Sequence, residues 1–242
     1  MNPLLATAVR VLTQLRRDPR TVAMMLVVPA VLVGLLAWIY QNTAVFDRIG
    51  GPLLGVFPFV VMFLVTSVVT LRERTSGTLE RLLTLPLRKV DLLAGYALAF
   101  GLVATVQALV AAGLALGPLG LQVAGPTWLV VVVAVLDAVL GTALGLLVSA
   151  FAATEFQAVQ FMPAVVLPQF LLCGLLVPRD RLPGVLRAVS DVLPLSYAVD
   201  AMGVLTRSAA VTRGFVVDLA VVALAVVVAL TLGAATLRRR TP

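Results

Sequence analysis

Asp137 stands inside a long apolar run, residues 128–151, and is the first side chain in this sequence placed where it could do chemistry. A carboxylate near the centre of a bilayer costs about 2.5–3.5 kcal/mol on insertion scales, so it must be protonated or have a partner. Gln107 and Asp137 each lie nine residues from the outer end of their own apolar runs, and Gln169 lies eight from the end of a third. The three therefore fall in nearly one layer. That placement predicts an interhelical Asp137–Gln107 hydrogen bond, and leaves open a contact to a transported molecule or a proton-coupling site. Composition excludes much other chemistry. The chain has no His and a single Cys, Cys173, which rules out His-based triads, HExxH and Cys/His zinc sites, His-ligated haem and an intrachain disulfide. Neither a GxxxxGK[ST] phosphate cradle nor a Gly-x-Ser-x-Gly nucleophile elbow occurs.

The elements that must position these side chains belong to a membrane. Of 242 residues 61% are apolar and 12% charged, against about 45–50% and about 25% in a soluble domain. Six apolar runs, residues 22–40, 52–71, 94–116, 128–151, 158–177 and 215–237, carry at most one charge each. Each approaches or exceeds the roughly 20 residues needed to cross a hydrocarbon core about 30 Å thick, so the fold class expected is an all-α polytopic membrane protein with a single membrane domain of six spans. Twelve of the 18 Lys and Arg residues flank one side, in the N-terminal segment, the loop 72–91 and the tail, and six flank the other. This asymmetry places both termini in the cytoplasm, and the net charge of +7 belongs beside anionic lipid rather than nucleic acid.

Ahead of the first span, Leu4, Leu5, Ala8, Leu12 and Leu15 recur at helical spacing, with Arg10, Gln14 and Arg17 on another face. The pattern predicts an amphipathic helix over residues 1–18 lying in the headgroup plane. Pro19 should end it, and Asp18 is placed to cap the next helix. A run of 19 apolar residues is long for a signal peptide, and no small-residue cleavage site follows it, so the first span is read as retained.

Two polar segments remain. In the loop 72–91, Gly77 or Thr78 can cap a short helix with Glu80 in its first turn, and Pro86 stops it. Leu79, Leu82 and Leu83 then share one face. A helix of two turns cannot stand alone in water, so those leucines need either the membrane interface or a groove on another protein. The segment 178–213 alternates prolines and isolated charges with apolar stretches too short to cross the bilayer. Half-helices that dip back into the membrane resolve that conflict, because irregular backbone at depth needs cover from protein or a water-filled cavity.

Both segments resemble known ones. Glu73 shortly before Gly77-Thr78-x-Glu80-x-Leu82, with Leu79, Leu83 and Pro86 around it, is similar to the cytoplasmic loop of ABC type-2 export permeases. Gly174, Pro178, Pro183, Pro194, Tyr197 and Asp200 match the segment before the last span of the same family. The resemblance covers essentially the whole chain and implies several things. The loop 72–91 would contain a coupling helix docking on an ATPase, present in two copies, that carries the ATP and magnesium, with no cofactor on this chain. A second permease, identical or related, would complete a dimer, with Phe59, Phe63, Phe161, Gln169 and Phe170 of spans two and five lining a central cavity. Residues 178–213 would form a re-entrant hairpin capping the path on the outer side. The implied function is the inner-membrane permease subunit of an ABC exporter for an amphipathic or hydrophobic drug, natural product or lipid-like molecule. A secondary transporter, proton-coupled through Asp137, is the alternative.

Overall fold

A computed structural model describes residues 3–41, 44–75 and 89–236, and every regular element among them is helical. Helix α1 (Pro3–Arg17) meets α2 (Pro19–Ile39) at Asp18, whose carboxylate accepts from the Thr21 amide at 3.2 Å and from its hydroxyl at 2.6 Å. Those bonds, the hydroxyl's first, hold the Asp18 carboxyl below the ordinary range, and Pro19 fills the first helical position, where its missing N–H costs nothing. Then follow α3 (Ala44–Thr75), α4 (Lys89–Leu116) and α5 (Thr127–Ser149). Helix α6 (Glu155–Leu172) is capped by Thr154, a 3₁₀ turn covers Arg179–Arg181, and α7 (Gly184–Ser190), α8 (Pro194–Arg207) and α9 (Arg213–Thr236) complete the order.

Among the described residues five helices, α2, α3, α4, α5 and α9, are long and apolar enough to cross a membrane, and α7 with α8 form a pair bent by 87°. The fifth expected span, residues 158–177, differs from this description. Helix α6 stops at Leu172, so Cys173 is its C-cap rather than part of its interior, and Gly174 turns the chain with φ 93°. At 18 residues α6 is about 27 Å long, and Glu155, Gln157, Gln160 and Gln169 dilute its apolar character.

Helices α3 and α5 make the centre. Gly55, Phe59 and Phe63 of α3 lie against Asp137, Gly141 and Gly145 of α5, a register that rises by four on both sides and therefore marks a parallel pair. A Cβ on Gly141 would stand 2.9 Å from the Phe59 carbonyl carbon, and one on Gly145 would stand 2.5 Å from the Phe63 oxygen. Backbones meet directly here, the close approach that small residues four apart permit in membranes, where van der Waals packing replaces hydrophobic drive. Helices α2 and α9 are peripheral, with most of their apolar surface open to the surroundings. Helix α1 buries Thr7, Ala8, Val11 and Leu15 and leaves Leu5 exposed, so its inward face is turned from the expected one. The cause is Gly95 of α4, which has no side chain to keep Thr7 and the Leu4 carbonyl away.

Candidate functional site

The polar layer is the first point where structure and sequence part. Gln107 and Asp137 are both buried, yet no hydrogen bond joins them. Gln107 Nε2 donates to the Met25 carbonyl of α2 at 2.7 Å. Pro29, four residues further along α2, has no N–H to offer that carbonyl, so the glutamine supplies the donor the proline removed. Asp137 faces α3 instead: a Cβ on Gly55 would be 2.9 Å from its Oδ2, and Oδ1 has no hydrogen-bond partner. Gln169 donates to Val165 of its own helix at 3.2 Å. The three side chains thus point to different neighbours. Gln107→Leu should therefore cost about 1–3 kcal/mol by stranding a buried acceptor. Adding Pro29→Ala, which restores the backbone donor, should recover most of that loss in a detergent unfolding series.

At the end of the bundle that holds α1, Glu73 of α3 is nearly buried and is gripped from two other helices. Arg10 of α1 reaches its two carboxylate oxygens at 3.3 and 3.0 Å, and the Tyr96 hydroxyl of α4 donates to it as well. Arg10 also donates to the Tyr96 oxygen at 2.8 Å. Arg74 donates to the Ser149 carbonyl at the end of α5, and Arg72 forms an exposed bidentate pair with Glu155 of α6 at 3.0 and 3.1 Å. The last turn of α3 is thus fastened to α1, α4, α5 and α6. Glu73 was expected in the ATPase-coupling set, and the structure gives it partners inside the chain. Gly77, Thr78, Leu79, Glu80, Leu82, Leu83 and Pro86, the remainder of that set, lie outside the described residues. Arg10 and Tyr96 were missed; their only signal was a lone arginine on a helix and a tyrosine near a helix start.

At the opposite end Arg179 is a hub. Its guanidinium binds Asp200 of α8 and Asp191 after α7, and lies over the Tyr197 ring at 4.9 Å. The Tyr197 hydroxyl donates to the Asp191 carbonyl at 2.6 Å. Ser190, with no exposed surface, donates to the Leu172 carbonyl at 2.8 Å and sits 3.1 Å from Ser196, which ties the bend between α7 and α8 to the end of α6. Gly174 is required here twice, by its φ of 93° and because a Cβ would be 3.1 Å from Arg179 Cγ. The motif residues Gly174, Tyr197 and Asp200 therefore converge on Arg179 and Asp191, which sequence reading had counted only as charges. Pro178, Pro183 and Pro194 each stand at a helix start, the first two as N-caps and the third at the first helical position. A cleft of about 840 Å³ opens beside this hub, between the start of α3 and the hairpin.

Two of the expected cavity aromatics are covered within this chain. Phe59 and Phe63 have no exposed surface within this chain; they fill an apolar cluster with Leu140 and Val166 because the glycine contacts draw their helix onto α5. Phe161 and Phe170 pack on the edge of the same cluster and stay partly open.

A model of the ABC-2 type transporter family matches residues 3–205. This chain belongs to that family. Helices α1 to α8, both polar clusters and the bent pair fall within or reach the end of the ABC-2 match. Among curated proteins, ABC transporter G family member 20 of Dictyostelium discoideum is 27% identical over 161 residues, 66% of this chain and 22% of that protein. The probable multidrug ABC transporter permeases YbhS and YbhR of Escherichia coli (strain K12) are 27% identical over 144 residues and 28% identical over 148. Those stretches are 59% and 61% of this ABC-2 chain and 38% and 40% of the two permeases. The matched stretch thus spans well under half of each curated relative.

Proposed function

We propose that this chain is the permease subunit of an exporter whose ATP is hydrolysed on separate subunits, two ATPases beneath two permeases, and that its cargo is amphipathic or hydrophobic. Family membership supports an ATPase partner, and the relatives named as multidrug permeases support such a cargo. The observation that carries the reading is the Arg10–Glu73–Tyr96 cluster. Glu73 lies just before residues 76–88 and Tyr96 just after them, so both stems of that loop are clamped to α1 and to each other. A push on the loop reaches α3 without slack, and α3 passes it to α5 through the glycine contacts. In this reading the loop end is cytoplasmic and the hairpin end external, in the cell membrane. Phe161 and Phe170 on α6, which stay partly open, are the leading cavity candidates, ahead of Phe59, Phe63 and Gln169, which are covered within this chain.

The coupling step is tested at Leu82. Leu82→Asp should leave expression and membrane insertion intact but abolish co-purification of the ATPase, because a carboxylate in an apolar groove is unpaired there. Arg81→Ala, which puts no charge on the leucine face, should change little. A Leu82→Asp protein that still binds its ATPase and exports at the parental rate sinks the reading. Orientation is read in a Cys173→Ser background: Val192→Cys, 80% exposed, should label with an impermeant thiol reagent in intact cells while Thr84→Cys does not. Labelling at residue 84 would reverse the topology.

A further inference from the structure

We propose that the cleft at the hairpin end binds the anionic headgroup of an amphiphile. Its charged wall comes from four separate elements: Arg48 from the first turns of α3, Arg179 from the 3₁₀ turn, Arg187 from α7 and Arg207 from the last turn of α8. Three aspartates, Asp180, Asp191 and Asp200, line it too. Asp191 and Asp200 are both taken by Arg179. Among the described residues, Arg48, Arg187 and Arg207 form no ion pair, so three arginines face one aspartate, Asp180, that is likewise outside any ion pair. Asp47, next to Arg48, is turned away and accepts from the Gln122 amide at 2.9 Å. The buried Arg179 Nε also has no acceptor.

Guanidinium groups converging from several elements match phosphate and carboxylate oxygens, which they can hold by paired hydrogen bonds. A soluble anion would need nothing more. This cleft adds apolar lining from Val45, Ile49 and Pro52 of α3 and from Leu175 and Leu176 after α6, and Leu176 is more than half exposed. Guanidinium groups and aliphatic side chains lining one cleft suit a headgroup that remains attached to its tail. The rigidity of the site comes from Arg179, which is held on three sides and fixes α7 and α8 around it. The headgroup chemistry deepens the export reading and rests on it only in treating the ligand as cargo; binding itself needs no ATPase.

The test uses the full chain purified in a neutral maltoside detergent, without any ATPase, titrated with lysophosphatidylglycerol, with lysophosphatidylcholine of the same acyl chain, and with glycerol phosphate. The glycerol lipid should bind at least tenfold tighter than either of the others. Replacing Arg48, Arg187 and Arg207 together with Gln should weaken it at least tenfold and leave the choline lipid unaffected. All three side chains are exposed, so the fold should survive, which an unchanged unfolding temperature verifies. Replacing Arg16, Arg17 and Arg20 with Gln removes the same charge at the other end and should leave affinity unchanged. Equal binding of the two lipids, an unaffected triple variant, or an equal loss in the control variant overturns the proposal. Glycerol phosphate binding as tightly as the lipid also overturns it, in favour of a soluble-anion site. Failure here with Leu82→Asp still uncoupling the ATPase removes the headgroup site and leaves the export reading standing; the reverse pattern does the opposite.

Discussion

Gly141→Ala and Gly145→Ala will each destabilise the solubilised protein by about 3 kcal/mol, the upper part of the range for overpacking a filled interior. A Cβ at either position meets main-chain atoms of Phe59 or Phe63, and at Gly145 it meets the Thr66 hydroxyl as well. Rotamer changes cannot relieve such a contact, so α3 and α5 must separate and give up dispersion contacts along their length. Gly34→Ala, Gly101→Ala and Gly113→Ala make the internal control. Each glycine is helical with nothing within 4 Å of its added Cβ, and each change should stay within about 1 kcal/mol, with the sign favouring alanine. Unfolding temperatures of the five variants in one detergent check the ordering. If the α5 glycines tolerate alanine as well as the α4 glycines do, the parallel close-packed core is misassigned.

The second large effect is expected at Glu73. Glu73→Ala leaves the Arg10 guanidinium and the Tyr96 hydroxyl without the carboxylate they share, and removing one member of a buried pair costs about 3–5 kcal/mol. Arg10 keeps about a quarter of its side-chain surface, so the lower end, about 3 kcal/mol, is the figure expected. The Arg10→Met, Glu73→Leu pair should lose clearly less than the two single losses added together, because no charge is then stranded. Arg72→Ala breaks the exposed pair with Glu155 and should cost no more than about 1 kcal/mol. Thermal unfolding separates these outcomes. A second readout tests the mechanical role under the proposed export function: the apolar double variant, if folded, should still bind the proposed ATPase yet couple hydrolysis to export less efficiently, since a charged clamp is replaced by contacts that slide.

The sequence by itself determined the all-helical, membrane-spanning class of this protein and an expected depth for each segment. A bilayer is a solvent whose polarity changes along one direction, so runs of apolar residues report how deep each segment lies, and those readings placed Gln107, Asp137 and Gln169 at similar depth. Local rules were equally legible: Asp18 before Pro19 caps α2 as its chemistry requires, and residues 178–213 break into short helices around their prolines. Rotation about each helix axis was decided only in the tertiary structure. No solvent gradient distinguishes one side of a buried helix from another; the neighbour does, through contacts between residues far apart in sequence. Gln107 turns to α2 because Pro29 leaves a carbonyl there without a donor, and Asp137 turns to α3 because Gly55 leaves room. Phe59 and Phe63 are sealed within this chain because Gly141 and Gly145 draw α5 onto their backbones. Arg10 finds Glu73 across 63 residues, and Arg179 gathers Asp191, Tyr197 and Asp200 around a bend, pairings that depend on three helices meeting at one point and that no spacing along the chain encodes.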